Sequence, residues 1–225
     1  MSSKLFHGIR AKSAIDAFCT AAANGRMKEM KLLLADGVDV NGFSAAARGT
    51  ALHSAVRLGL ARSVEFLLAA GADPNRTNAE NMTALMCACS LGKTKGSRIA
   101  IRLLHAGADA RYVRKSDEMT ALKFAAESCS AEVIQSLIKR GAEVEGPNGT
   151  AQTALMHAAR AGNIRALVML LGNGADVFRP CTLKWAQGRT AEGLAELEGH
   201  RSAAQYLRQF TQKWYGVATT SSKRA

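Results

Sequence analysis

The sequence predicts an all-α solenoid of helix-turn-helix units, and three observations predict it. The string Thr-Ala-Leu recurs at Thr50, Thr83, Thr120 and Thr153, with a decayed Thr-Ala-Glu at Thr190, at spacings of 33, 37, 33 and 37 residues. A second string, Gly-Ala-Asp or Gly-Ala-Glu, begins at Gly71, Gly107, Gly141 and Gly174, and Gly37 opens a Gly-Val-Asp. The two strings keep a fixed offset. In every copy but the third, 21 residues separate the Thr from the Gly, and Asp16 holds the Thr place before Gly37. Self-similarity at such a period marks a repeat array, in which each unit is too small to bury its own apolar face and neighbours supply the core.

Each unit then divides into elements with a physical cause. Thr or Asp ahead of an apolar run is a good N-cap, because its side-chain oxygen accepts an orphan backbone N–H. Nine residues later stands Gly25, Gly59, Gly92, Gly162 or Gly199, where a first helix must stop and a left-handed residue is favoured. A second amphipathic run follows, such as 63–69 with Val64, Leu67 and Leu68 inward, and it ends at the next Gly. Cys129 takes the stop position in the fourth copy. In the left-handed conformation it would cost about 1–2 kcal/mol, so Cys129→Gly is expected to stabilise by about 1 kcal/mol. The third copy carries three extra residues within 93–98, between its helices.

These strings resemble the ankyrin-repeat family, most closely over 49–75, GTALHSAVRLGLARSVEFLLAAGADPN, and the resemblance implies helix-turn-helix units with projecting hairpin loops. The resemblance covers roughly residues 15–210. It implies repeats near 16–48, 49–81, 82–118, 119–151 and 152–188, then a degenerate cap at 189–210. A basic extension at 1–14 and a basic tail at 211–225 flank them. Ala follows the Thr in every copy where the family usually has Pro, which removes some pre-organisation of the helix start. The resemblance makes His53 a structural hydrogen-bonding residue near the hairpin. Asn41 and Asn75 read as turn residues that bond locally, and the Met residues after Leu85 and Leu155 as core filling.

The family's binding face is concave, lined by the hairpin tips and the exposed ends of the first helices. Carried onto this chain, the tips are 42–48, 76–81, 111–117, 146–149 and 178–187. The helix ends include Arg57, Leu58, Leu91, Glu127, Arg160 and Ala161. The candidate partner-binding residues are Arg57, Arg76, Arg111, Tyr112, Arg114, Lys115, Arg160, Phe178, Arg179 and Trp185. Arg, Tyr and Trp are the types enriched at interface hot spots.

Charge points the same way. The formal net charge is +12. The excess sits in 1–14, 92–123 and 201–225, while the rest of the chain sums to −1. A localised basic surface suits an acidic partner protein, and it leaves open a peripheral RNA- or ribonucleoprotein-associated role, which salt dependence would separate. A role as targeting subunit for a catalytic or membrane-linked partner also stays open.

No HExxH, GxSxG, GxxxxGK[ST] or paired-carboxylate spacing occurs, so no enzyme activity, cofactor or metal is expected. Cys19, Cys87, Cys89, Cys129 and Cys181 make an odd set with no CxxC, which fits an intracellular, reducing compartment. No apolar run is long enough to span a bilayer, and no secretory h-region is visible. The acid-free stretch 1–14 leaves organelle import open. A monomer is the default, and the tail from Lys213 through Lys223 and Arg224 carries no fold signal.

Overall fold

A computed structural model describes residues 2–147 and 151–216, with side chains from residue 12 onward. The described residues form twelve α-helices, and the chain divides into two compact units, one ending at Arg114 and the other beginning at Lys115. The fold is the all-α ankyrin solenoid expected.

The first unit contains α1 (Ser2–Ala23), α2 (Met27–Ala35), α3 (Ala51–Arg57), α4 (Ala61–Ala69), α5 (Ala84–Ser90) and α6 (Lys95–His105), and ends in the short strand β1 (Val113–Arg114). Odd-numbered helices stack on one another, α1 on α3 and α3 on α5, and each also packs on its own partner helix. Their shared core is apolar and closed: Phe18, Met30, Leu52, Leu67, Leu85, Met86, Ile99 and Leu103 are all fully buried. Val64 and Leu67 point inward as the periodicity predicts, while Leu68 is only half-buried.

The second unit holds the strand β2 (Met119–Thr120), then α7 (Ala121–Ser128), α8 (Ala131–Lys139), α9 (Ala154–Arg160), α10 (Ile164–Gly172), α11 (Ala191–Leu197) and α12 (Arg201–Tyr215). Here α7, α9 and α11 form one layer and α8, α10 and α12 the other. Leu122, Ile134, Leu137, Leu155, Leu167, Leu194 and Leu207 fill the space between them.

The capping logic holds at three of the threonines, while the Thr190 side chain makes no cap bond. Thr83, Thr120 and Thr153 accept hydrogen bonds from the backbone N–H groups of Met86, Lys123 and Met156 at 3.2–3.4 Å. Gly162 ends α9 with φ +64. A Cβ there would also stand 2.7 Å from the His200 ring, so both backbone angle and space call for glycine.

Four expectations need correction. Asp16 caps nothing, because α1 runs unbroken from Ser2 past it to Ala23, taking the N-terminal stretch into the first repeat's helix. Its carboxylate instead accepts the Ser44 hydroxyl of the following hairpin at 2.5 Å. Cys129 is not left-handed: at φ −89 and ψ 173 it leaves the helix extended, after a helix of eight residues where α9 has seven. Strain there is absent, so Cys129→Gly has none to relieve. The boundary at 210 falls inside α12, since no helix breaker occurs between Arg201 and Gly216. Lys213, Trp214 and Tyr215 are therefore helical, whereas Lys223 and Arg224 lie outside the described residues, as does part of the tip 146–149. Finally, Asn41 and Asn75 do not bond only locally. Each reaches the next repeat's glycine turn, Asn41 donating to Gly71 O and accepting from Asp73 N, Asn75 donating to Gly107 O and accepting from Asp109 N.

The three extra residues of the third copy are divided between its second helix and the turn before it. Its second helix, α6, has 11 residues where α4 has 9, and the turn before it is one residue longer.

Candidate partner-binding surface

Hairpin tips are held by backbone and side-chain bonds together. Arg48, Asn81 and Glu118 each stand two residues before the capping Thr, and each has φ between +54 and +56. Non-glycine residues rarely adopt that region, and such strain persists only where neighbours over-determine it. In the first unit the neighbours are visible. Arg48 O accepts the Ala79 N–H of the next hairpin at 3.0 Å, and the Asn78 side chain accepts from Glu80 N and Met82 N.

His53 ties the helix to that hairpin. Its Nδ1 meets the Thr50 hydroxyl at 2.9 Å and the Thr50 N–H at 3.4 Å, so Nδ1 is an acceptor and Nε2 carries the proton. Nε2 then donates to Met82 O at 3.1 Å. Burial pushes its pKa below 6.5, keeping the ring neutral. The structural reading of His53 is thus met with both ring nitrogens satisfied.

Above His53 lies a cleft of about 190 Å³ between two hairpins and the ends of α3 and α5. Met82, Cys87 and Leu91 line it, with Arg48, Arg57 and Glu80 at its mouth. Arg48 pairs with Glu80 at 3.4 Å, both side chains more than half exposed. Arg57 is exposed and forms no ion pair among the described residues. Arg76 is exposed on its tip. Arg111 stands 3.7 Å from Asp109, and the half-buried Tyr112 donates its hydroxyl to Asn81 O at 3.2 Å. Arg114 is half-buried, and its charge reaches Cys87 along with those of Arg57 and Glu80.

The second unit places its candidates differently. Arg160 is shared between Glu198 at 3.1 Å and the face of Trp185 at 5.0 Å, a cation–π stack. Arg179 pairs with Glu145 at 3.0 Å. Phe178 stands edge-on to Tyr215 at 5.0 Å, so the end of α12 joins the fifth tip in an aromatic cluster that Phe210 and Trp214 extend. Trp185, Phe178, Trp214 and Tyr215 all remain exposed. Lys115 is exposed at the edge of a wider cleft of about 510 Å³ that reaches Lys123, His157 and Leu183.

Lys123 is the residue that sequence reasoning passed over. It occupies the slot that His53 fills, third in its helix, and is only 3% exposed. Its ammonium donates to the carbonyl of the left-handed Glu118 at 2.8 Å, so it braces the strained tip. Burial pushes its pKa down, Glu118 and Asp117 push it up, and Arg179 lowers it further. The signal was present: Thr-Ala-Leu-Lys at 120–123 aligns with Thr-Ala-Leu-His at 50–53. His157 is likewise buried, and its Nδ1 lies 2.7 Å from Glu127.

Comparison with known proteins fits this construction. The sequence model described as ankyrin repeats matches three times, over residues 4–78, 62–148 and 93–181. The chain belongs to the ankyrin-repeat family. Ankyrin repeats generally mediate protein–protein interaction, and most of the family is not enzymatic. Among similar proteins, the palmitoyltransferase AKR1 of Lachancea kluyveri is 29% identical over 177 residues, 78% of this chain but 23% of that protein. The ankyrin repeat and KH domain-containing protein mask-1 of Caenorhabditis elegans is 32% identical over 69% of this chain and 6% of its own length. The chain therefore spans a small part of these two relatives. The putative ankyrin repeat protein FPV223 of fowlpox virus is 30% identical, over 64% of this chain and 99% of that one. A chain in the complex of the Bdellovibrio bacteriovorus predatory endopeptidase Bd0816 with immunity protein Bd3460 shares the fold, with a TM-score of 0.73 at 24% identity over 86% of this chain and 97% of that one. Among the described residues, no helix of this ankyrin-repeat chain is long and apolar enough to cross a membrane.

Proposed function

We propose that this ankyrin-repeat chain is a non-catalytic binding module, an adaptor, scaffold or inhibitor, that holds a partner protein with an acidic surface through its hairpin tips and first-helix ends. The observation that carries the reading is the Arg160–Trp185 stack: the indole is 46% exposed and already oriented by the guanidinium 5.0 Å from its ring. Trp and Arg dominate interface hot spots, and a side chain fixed before binding loses less entropy on contact. In the first unit, exposed Arg57 and Arg76 supply cations on the same kind of position. The odd set of five cysteines with no CxxC supports the cell interior as the compartment of this role.

The test is affinity capture from cells that make the protein, comparing the intact chain with a variant carrying Arg57→Ala, Arg76→Ala, Arg160→Ala and Trp185→Ala. A protein retained by the intact chain, lost with the variant and insensitive to nuclease supports the reading. Retention that the variant does not alter sinks it. Binding abolished by nuclease, with log affinity falling steeply and linearly with log salt, would mark a nucleic-acid partner instead.

A further inference from the structure

The cleft above His53 has a chemistry that selects its occupant. Its floor and wall are uncharged. Both ring nitrogens of His53 are used, by Thr50 and by Met82 O, and burial pushes the Cys87 thiol up to about 11, so it stays protonated. All fixed charge sits at the mouth. Of those groups, Arg57 forms no ion pair among the described residues, while Arg48 and Glu80 hold each other at 3.4 Å with 61% and 57% of their side chains exposed. So open a pair contributes little and is easily exchanged.

Size narrows the choice further. A cavity of about 150 Å³ takes one benzene ring, so a cleft of about 190 Å³ admits a single side chain and excludes a helix or a base pair. Leu91, 36% exposed, and Met82 give that side chain an apolar wall.

Resting on the proposed binding role, we infer that this cleft receives one glutamate or aspartate side chain of the partner, its carboxylate on Arg57 and its methylene stem against Met82 and Leu91. A bidentate arginine–carboxylate contact is among the strongest single polar contacts a protein makes. Glu80 is the opposing element: it repels the incoming carboxylate and occupies Arg48. The cleft is therefore tuned to moderate affinity, and removing either charge moves affinity in opposite directions.

The experiment selects a library of random twelve-residue peptides displayed on phage against the intact 225-residue chain. Synthetic copies of the enriched peptides are then titrated against the wild type, Arg57→Ala and Glu80→Gln. Circular dichroism establishes that both variants, altered at exposed positions, remain folded. We expect an acidic residue flanked by an apolar one in the enriched peptides, an affinity loss of about tenfold or more in Arg57→Ala, and a gain of about threefold in Glu80→Gln. Enriched peptides without an acid, or equal affinity for Arg57→Ala and wild type, overturn the inference. If those peptides instead lose affinity on Trp185→Ala, the binding role stands and only the cleft fails. A library from which nothing is retained overturns both. Polyuridylate binding that Arg57→Ala abolishes, with no peptide retained, assigns the arginine to phosphate.

Discussion

His53 and Met82, 29 residues apart in sequence, are joined by a hydrogen bond from the imidazole Nε2 to the backbone carbonyl at 3.1 Å. It links the first turn of α3 to the hairpin that precedes α5, so one side chain helps to tie successive repeats together. His53→Ala leaves the Met82 carbonyl and the Thr50 N–H without this partner at buried positions. We expect a loss of about 2–3 kcal/mol in urea unfolding. A loss under about 0.5 kcal/mol would show that the bond does not hold the repeats together.

The same ring makes stability depend on acid. Burial holds the folded His53 pKa below 6.5, the unfolded value. As pH falls from 6.5 towards the folded pKa, the unfolded chain takes a proton that the folded chain refuses, and stability falls. Above 6.5 the contribution is complete. The difference in urea midpoint between wild type and His53→Ala should therefore shrink as pH drops through that window. A difference that stays constant would contradict the neutral buried ring.

Asn75 makes two bonds to the next glycine turn, donating to Gly107 O at 3.2 Å and accepting from Asp109 N at 2.7 Å. The site is exposed, so water replaces part of what is lost. Asn75→Ala should destabilise by about 1 kcal/mol, and Asn41→Ala, with the same pair of bonds to Gly71 and Asp73, by a similar amount. Urea unfolding of the two variants checks both, and unchanged midpoints would confine these asparagines to their own turns.

Lys123 gives the opposite end of the pH scale. Its folded pKa is pushed below the ordinary 10.5, chiefly by burial. Between the depressed value and 10.5 the unfolded chain holds the proton that the folded chain has released, so stability rises with pH across that window. Lys123→Met, the residue its siblings carry as Met86 and Met156, removes the group. Wild type should gain stability relative to Lys123→Met as pH rises towards 10.5 in urea titrations, and a relative fall would show that the ammonium is favoured by folding.

How much of this was legible in the sequence differs by kind of interaction. Repeats, caps and glycine stops were legible because each rests on a local residue type at a fixed spacing, as with Thr153 and Gly162. The left-handed stop assumed for Cys129 failed because position in a pattern does not fix backbone angle: the helix there continues by one residue and exits extended. Asp16 failed for a related reason, since the helix already runs through the residues before it and leaves no helix start there to cap. Bonds between repeats, such as those of Asn41 and Asn75, leave no local trace. Among the site residues, type was legible and state was not. Arg179 is bound to Glu145 at 3.0 Å and Arg160 to Glu198 at 3.1 Å, which no spacing within one copy announces. The aromatic cluster of Phe178 and Tyr215 is not legible in the sequence, because it depends on the last helix continuing past Phe210 to Tyr215.

The tip at 111–114 offers the sharpest test of side-chain readout. Tyr112 is pinned by its hydroxyl to Asn81 O, so its ring is oriented before any partner arrives, and Arg111 beside it is 73% exposed. Arg114 is half-buried, and truncating it would disturb packing together with charge, which makes Arg111 the cleaner substitution. On the proposed binding role, Tyr112→Ala with Arg111→Ala should weaken partner binding by about 2 kcal/mol. Tyr112→Phe keeps the ring but frees it from Asn81, and its cost should be smaller, about 0.5–1 kcal/mol, the worth of one hydrogen bond. Unfolding midpoints separate this from lost stability: Arg111→Ala alone should shift them by no more than about 0.5 kcal/mol. If the captured partner binds the double variant as tightly as wild type, this tip is a structural hairpin, and recognition rests on the other tips and helix ends.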